Sequence, residues 1–67
     1  MVKKNLLKAK MAENRINYEG CSKSMNISNN SFYNKINCHT EFTLKEIVSL
    51  SKFLKLADTD IIQIFLS

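Results

Sequence analysis

Residues 17–37, NYEGCSKSMNISNNSFYNKIN, read as two short helices joined by a tight turn. Asn17 is a favourable N-cap, because its side-chain oxygen can accept from a free N–H group of the first helical turn. The helix that follows places Cys21 and Met25 on one face, four residues apart. Gly20 is unusual, since a glycine inside a helix costs about 1 kcal/mol relative to alanine. Either this helix is weak at Gly20 or another backbone packs closely against it.

The turn and the helix after it have equally specific signals. Asn26 suits the turn, because asparagine adopts a positive φ at modest cost. Ser28 is expected to cap the next helix, which buries Phe32 and Ile36. The polar residues between and beside these two apolar positions are expected to face solvent.

The segment before this pair predicts an amphipathic helix over 3–13. Leu6, Leu7 and Met11 fall within little more than one turn, and lysines surround them. This helix therefore has one apolar side to contribute to a core.

The segment after residue 37 predicts two further helices. Thr43 and Glu46 form a capping box, the sharpest helix start in the chain. The fourth helix is predicted to run to about Leu56 and to bury a stripe of five residues: Leu44, Ile47, Val48, Ser51 and Leu54. Asp58 is predicted to cap a fifth helix that ends near Leu66. The fifth helix is apolar nearly all round, so we expect one face to join the core and the rest to contact a partner.

Length and composition predict one small all-α domain, residues 1–67. The chain has 67 residues, of which 45% are apolar. A domain of this size buries only about 60% of the surface that its unfolded chain exposes, so the core is small. The predicted core consists of Leu6, Leu7, Ile16, Ile27, Phe32, Ile36, Leu44, Ile47, Val48 and Leu54.

Several classes of protein and site are disfavoured by the sequence. Cys21 and Cys38 lie far apart with a single histidine, His39, nearby, whereas a structural zinc site needs four ligands at paired spacing. We expect Cys21 to be a small buried residue and Cys38 a loop thiol, and reduced thiols suit a cytoplasmic protein. No apolar run approaches the roughly 18 residues of a membrane span. No nucleophile with a base is visible, so neither an enzyme nor a cofactor is predicted.

The charge is distributed unevenly along the chain. The net charge is +4, and residues 1–40 contain seven basic and two acidic side chains, whereas residues 41–67 contain three basic and four acidic ones. Such asymmetry favours a polyanionic partner for the first part of the chain, although a basic helix is also a common solvated surface.

The order of five short helices, the segment 17–37 and the run EFTLKEI at 41–47 resemble the lambda-repressor-like helix-turn-helix family of the Xre type, in particular the short Cro-like repressors of phages. The resemblance covers roughly residues 4–66. It implies a five-helix lambda-repressor-like DNA-binding domain and a transcriptional regulator that binds double-stranded operator DNA as a homodimer. It leaves no room for an effector domain, so no small-molecule ligand is expected.

The chain departs from this family at the turns. Arg15, Asn26 and Cys38 occupy positions where the family usually has glycine after its first three helices. Arg15 and Cys38 therefore predict strained or altered turns. Tyr18 replaces a glutamine that contacts phosphate in the family, although a tyrosine hydroxyl can also donate to phosphate.

The resemblance assigns the DNA-contacting residues to the third helix and its surroundings. The predicted base-reading residues are Asn29, Asn30, Tyr33 and Asn34. Asparagine can pair with adenine N6 and N7 in the major groove, which favours A·T-rich sites. The predicted contacts to the DNA backbone are Tyr18, Ser31, Lys35, Asn37 and His39. The predicted dimer surface is the fifth helix, with Ile62, Phe65 and Leu66.

Two alternatives remain open at the level of the sequence. The polar residues of the third helix also suit an ordinary solvated helix face. The apolar fifth helix also suits a protein-interaction module, such as an antirepressor or antitoxin-like partner that keeps the fold and binds another protein. Tight protein binding with weak DNA affinity would distinguish that module from a DNA-binding regulator.

Overall fold

The computed structural model describes residues 2–66, which contain five α-helices joined by short turns and loops. They are α1 (Lys4–Glu13), α2 (Tyr18–Ser24), α3 (Asn29–Ile36), α4 (Leu44–Phe53) and α5 (Asp58–Ile61). The last helix continues as a π-helical turn, Ile62–Leu66. The prediction of an all-α protein is therefore confirmed for the described residues.

The predicted N-caps of α2 and α3 are both present. Asn17 Oδ1 accepts from the Gly20 N–H group at 2.9 Å. Ser28 Oγ accepts from the Ser31 N–H group at 3.1 Å. Each contact satisfies an N–H group that the first helical turn leaves without an intrahelical partner, so the two helices begin where the sequence predicts.

The capping box of α4 is confirmed, whereas the predicted cap of α5 is wrong. Thr43 Oγ1 accepts from the Glu46 N–H group at 3.2 Å, and Glu46 Oε1 accepts from the Thr43 N–H group at 2.9 Å. Before α5 the N-cap position belongs to Ala57, whose N–H group donates to Asp60 Oδ2 at 3.0 Å. Asp58 is the first helical residue, because the backbone is still extended at Ala57 and becomes helical one residue earlier than predicted.

Four helices end in the same way, on a residue with positive φ that is not glycine. These residues are Arg15 (55°), Asn26 (57°), Cys38 (64°) and Lys55 (56°). The N–H group of the following residue donates to the carbonyl five residues back, in Ile16–Met11, Ile27–Ser22, His39–Asn34 and Leu56–Ser51. This is the Schellman pattern, which usually places glycine at the left-handed position. Arg15 and Cys38 thus keep the ordinary Schellman geometry at a positive φ that is strained for a residue with a Cβ atom, so of the two predicted alternatives, strained or altered turns, the structure shows strain. The positive φ of Lys55 was not predicted.

A single hydrophobic core is shared by α1, α2, α3, α4 and the π-helical turn. Its buried members are Leu7, Met11, Cys21, Met25, Phe32, Ile36, Leu50, Leu54, Ile64 and Phe65. α2 packs against α3 and α4, and α1 packs against the π-helical turn. The first N–H group near α1, that of Lys3, donates to the carbonyl of Ile64 at 2.8 Å, so the two ends of the described chain meet.

An aromatic chain crosses this core from α2 to the carboxyl end. Tyr18 and Phe32 have ring centroids 5.3 Å apart, Phe32 and Phe42 6.2 Å apart, and Phe42 and Phe65 5.3 Å apart. All three pairs are edge-to-face, the geometry that the aromatic quadrupole favours. This series of aromatic contacts links the α2–α3 pair to Phe65 in the π-helical turn.

Three residues of the predicted core are exposed instead. Leu6, Leu44 and Val48 have 44%, 77% and 44% of their surfaces exposed. In α1 the buried residue is Leu7, and its neighbour Leu6 points about 100° away around the helix. In α4 the buried face passes through Leu50, which turns Leu44 and Val48 outward. Their placement in the core was wrong because apolar residues point in several directions around each of these helices, and the sequence does not show which of them meet the core.

Gly20 is surrounded by side chains. A Cβ atom at this position would lie 3.2 Å from Ile16 Cγ2, 3.5 Å from Asn17 Oδ1 and 3.7 Å from Phe53 Cε2. These nearest atoms belong to side chains, so the close approach of another backbone, one of the two alternatives from the sequence, is not observed there. The glycine makes room for Ile16 and Phe53 beside α2.

Candidate nucleic-acid interface

The outer face of α3 carries four polar residues at the spacing of one helical face. This polar stripe consists of Asn30, Tyr33, Asn34 and Asn37, at positions i, i+3, i+4 and i+7. Phe32 and Ile36 on the opposite face are fully buried. The side-chain amides of Asn30 and Asn34 form no hydrogen bond within residues 2–66, so their donors and acceptors are available to a ligand.

Asn29 does not belong to this stripe, although it was predicted to read bases. Its side chain forms a hydrogen bond with Ser22 Oγ. Ser22 is buried in α2, where its hydroxyl also lies 2.9 Å from the carbonyl of Glu19. The Oδ1 atom of Asn29 therefore has a partner within the protein, and this contact connects α2 to the first turn of α3.

Lys35 was predicted to contact the DNA backbone, and the structure places its ammonium group in an ion pair between α3 and α4. Its Nζ lies 3.0 Å from Glu46 Oε1 and donates to the carbonyl of Glu41 at 3.0 Å. Only 13% of its side chain is exposed. The last turn of α3 is in this way connected to the start of α4, and the charge of Lys35 is neutralised within the chain.

The carboxylate of Glu46 connects three parts of the structure. Glu46 Oε1 accepts from the Thr43 N–H group and from Lys35 Nζ. Burial acts to raise the pKa of this carboxyl, but the Thr43 N–H group and the Lys35 ammonium outweigh burial and lower the pKa below its ordinary value of 4.5. The charged form of Glu46 therefore stabilises both the cap of α4 and the position of Lys35.

Asn37 connects the end of the polar stripe to α1. Its Nδ2 donates to the carbonyl of Tyr33 at 2.8 Å, and its Oδ1 accepts from Lys4 Nζ. The first turn of α1 consequently lies beside the carboxyl end of α3. Nothing in the spacing of residues 4 and 37 predicts this contact, because it depends on the packing of two distant helices.

The other residues predicted to contact the DNA backbone surround α3. Tyr18 is half-buried, with its ring against Phe32. Ser31 Oγ accepts from Ser28 Oγ at 3.0 Å near the start of α3. His39 is exposed in the loop that follows α3. Tyr18 and His39 lie on elements that adjoin α3 and Ser31 lies within α3, but none of the three belongs to the polar stripe.

The three predicted dimer residues have different environments. Ile62 and Leu66 are 53% and 69% exposed, whereas Phe65 is only 7% exposed. Phe65 packs edge-to-face against Phe42 within its own chain. Phe65 is thus a core residue, and its assignment to a dimer surface is not supported, while Ile62 and Leu66 remain on the surface.

The ion pairs leave an excess of basic side chains without partners. Four carboxylates are paired, in Lys10–Glu13, Lys10–Asp60, Lys23–Glu19 and Lys35–Glu46. Within residues 2–66, the basic residues that form no ion pair are Lys3, Lys4, Lys8, Arg15, Lys45, Lys52 and Lys55. The surface is therefore markedly positive, as expected for a protein with a polyanionic partner.

The two cysteines are free and differ in environment. Cys21 is buried in the core, and burial raises the pKa of its thiol to about 11. Cys38 is exposed after α3. Residues 2–66 contain no group of three or more histidine, cysteine or acidic side chains suited to a metal ion.

Comparison of the chain with family models, curated proteins and solved structures finds no match. None of the helices within residues 2–66 has both the length and the hydropathy that a membrane span requires.

Proposed function

We propose that this protein is a sequence-specific DNA-binding transcriptional regulator of the lambda-repressor-like, Xre-type helix-turn-helix family, and that α3 enters the major groove. The observation that carries the proposal is the polar stripe, in which Asn30 and Asn34 have free amides on the face opposite the buried side of α3. The major groove is about 12 Å wide and accepts an α-helix. The resemblance of residues 17–37 to the family supports the same assignment.

The side chains of the stripe suit the chemistry of base recognition. An asparagine amide donates to N7 and accepts from N6 of adenine only when both of its groups are free, as those of Asn30 and Asn34 are. Residues four apart in a helix are separated by about 6 Å along its axis, close to two base-pair steps. Tyr33, 52% exposed between them, is suited to contact a thymine methyl group.

Contacts at both ends of α3 support its role as a rigid element. Asn29 connects its first turn to Ser22 in α2, and Lys35 connects its last turn to Glu46 in α4. A helix fixed in this way loses little conformational entropy on binding, so more of the contact free energy appears as affinity. Two residues predicted to contact DNA thus support recognition by positioning α3.

The proposal includes a homodimer and a role like that of a phage or prophage Cro-like repressor. One α3 reads one half-site, so two copies about 34 Å apart would read a pseudo-palindrome. Ile62 and Leu66 are the candidate dimer residues, because both are exposed on the π-helical turn. Occupancy of the operator would then depend on protein concentration.

The test is selection from a pool of random duplexes at two salt concentrations, with sequencing of the bound fraction. An enriched A·T-rich motif with two-fold symmetry is expected. Salt-sensitive binding without an enriched motif would contradict sequence-specific regulation and leave a non-specific basic protein. Absence of binding at low salt would contradict the DNA-binding proposal altogether.

A second candidate is a protein-interaction module of the antirepressor or antitoxin type. It is favoured by the exposed apolar side chains of Leu44, Val48, Ile62 and Leu66, because exposed apolar surface is typical of sites that bind other proteins. Under this alternative, substitutions at Ile62 and Leu66 abolish partner binding, and substitutions at Asn30 have no effect. Failure of the duplex selection would make this candidate the leading one.

A further inference from the structure

The amino-terminal half of α1 carries two lysines on one face, and the first of them contacts the residue that follows α3. Lys4 Nζ donates to Asn37 Oδ1, at the carboxyl end of the polar stripe. Lys8 follows four residues later and therefore shares a face of α1 with Lys4. Neither lysine forms an ion pair within residues 2–66. Two positive charges thus remain uncompensated on this face of α1, and that of Lys4 lies at the end of α3.

The third α1 lysine shows the opposite arrangement. Lys10 lies 3.3 Å from Glu13 Oε2 and 3.5 Å from Asp60 Oδ1, so its charge is compensated on the side of α1 that faces α5. These two carboxylates raise the pKa of Lys10. α1 therefore has a neutralised side towards α5 and a basic side towards α3.

We infer that Lys4 and Lys8 contact the DNA phosphates that flank the groove occupied by α3. This inference rests on the proposed function, since it requires the polar stripe to face the bases. A helix in the major groove has a phosphate backbone along each side, and a lysine against the end of that helix lies at the edge of the groove. Lys8 lies about 6 Å further along α1, so it contacts a neighbouring phosphate.

The hydrogen bond to Asn37 leaves Lys4 free to do this. An ammonium group has three donors, and Asn37 Oδ1 uses one of them. Two donors remain for phosphate oxygens. Asn37 acts as a positioning residue, because its amide connects Lys4 to the backbone of Tyr33 on α3. The phosphate contact that was predicted for Asn37 is therefore made by Lys4, which Asn37 positions.

The test compares Lys4→Gln and Lys8→Gln with the control Lys52→Gln. Lys52 is also exposed and without an ion pair in the described residues, but it lies in the last turn of α4. That end of α4 adjoins the carboxyl end of α1, because Asn14 Nδ2 donates to the carbonyl of Leu54. Glutamine removes the charge, keeps a donor and has nearly the helix propensity of lysine, so all three variants are expected to fold.

Binding of each variant to the selected operator, or to a random-sequence duplex if no motif is enriched, is measured over a series of salt concentrations. The slope of log K against log salt is expected to fall by about 0.9 in magnitude for each α1 variant, because each lost phosphate contact releases one fewer counterion. The slope of Lys52→Gln is expected to equal that of the wild type. Circular dichroism verifies that helicity is unchanged.

The possible failures are distinguishable. Wild-type slopes for both α1 variants, in a protein that binds DNA, would overturn the inference and leave the proposed function intact. Equal slope losses for all three variants would also overturn it, because they would indicate a diffuse charge effect. Absence of DNA binding by the wild-type protein would overturn both the inference and the proposed function.

Discussion

Lys35 Nζ lies 3.0 Å from Glu46 Oε1, and this contact joins the last turn of α3 to the first turn of α4. The same oxygen accepts the N–H group that begins α4, that of Thr43. A lysine on a helix that binds DNA would ordinarily be assigned to phosphate. Here the pair is mostly buried, so Lys35 stabilises the fold and the position of α3.

Lys35→Ala is expected to lower the free energy of unfolding by about 1 to 2 kcal/mol, because it leaves a mostly buried carboxylate without its charged donor. Urea denaturation at pH 7 measures this loss. Lys23→Ala is the control, since the Lys23–Glu19 pair is 76% and 57% exposed. The control is expected to cost less than about 0.5 kcal/mol. Equal losses in the two variants would show that the Lys35 pair behaves like an ordinary surface pair.

The same contact predicts a dependence of stability on pH. Interactions with Thr43 and Lys35 lower the pKa of Glu46 below its ordinary value of 4.5, despite burial. The stabilisation is therefore complete above the unfolded pKa and is lost as the pH falls through the lower folded value. We expect the wild type to be more stable than Glu46→Gln at pH 7 and the difference to shrink below pH 4.5. Glu41→Gln, at an exposed carboxylate, is the control, and a constant Glu46 difference would contradict the linkage.

Lys55→Gly is expected to stabilise the protein by about 1 kcal/mol. Lys55 has φ of 56°, a conformation that costs a residue with a Cβ atom about 1 to 2 kcal/mol and costs glycine little. Lys52→Gly, three residues earlier and inside α4, is the matched control and is expected to destabilise by about 1 kcal/mol. Opposite shifts of the urea midpoint verify the prediction, and shifts of the same sign would refute it.

Asn30→Ala is expected to cost about 1 to 3 kcal/mol of binding free energy on the selected operator and to relax specificity at one base pair. Its stability should equal that of the wild type, because its amide forms no hydrogen bond within the described residues. Asn29→Ala should instead lower stability by about 1 kcal/mol and weaken binding to all sequences alike, since it removes the contact with Ser22. Binding to the operator and to single-base variants separates the two effects.

Phe65→Ala and Leu66→Glu are expected to have different effects, the first on folding and the second on self-association. Phe65 is a core residue against Phe42, so its truncation should cost about 3 to 5 kcal/mol and leave little folded protein. Leu66 is 69% exposed, so Leu66→Glu should keep the helicity and, if the proposed homodimer forms through this surface, abolish self-association. Sedimentation and circular dichroism measure both properties. A Leu66→Glu protein that still forms the wild-type dimer would place the dimer surface elsewhere.

The helix boundaries were largely predictable because their causes lie within a few residues. The caps at Asn17, Ser28 and Thr43 each join residues three apart, and such contacts are visible in the sequence. The strain at Arg15 and Cys38 was predictable only from the glycine positions of the family that the sequence resembles. The cap of α5 was misplaced by one residue, because alanine gives no N-cap signal and the supporting carboxylate is that of Asp60.

The site was less predictable because its polar side chains have alternative partners. Asn29, Lys35 and Asn37 all look like DNA contacts when read along one helix. Their neighbours are Ser22 on α2, Glu46 on α4 and Lys4 on α1, respectively. Glu46 already carried a strong capping signal, but the sequence does not show that its carboxylate also meets Lys35.

The sequence by itself determined the all-α class and the starts of three helices, because these depend on hydrogen bonds between residues three or four apart. Only the tertiary structure decided which faces are buried and which polar groups remain free. In the structure Leu44 is exposed, Phe65 is buried and Lys35 is paired with the carboxylate of Glu46. Such outcomes depend on where other helices pack, and the residues of one helix do not specify the position of its neighbours.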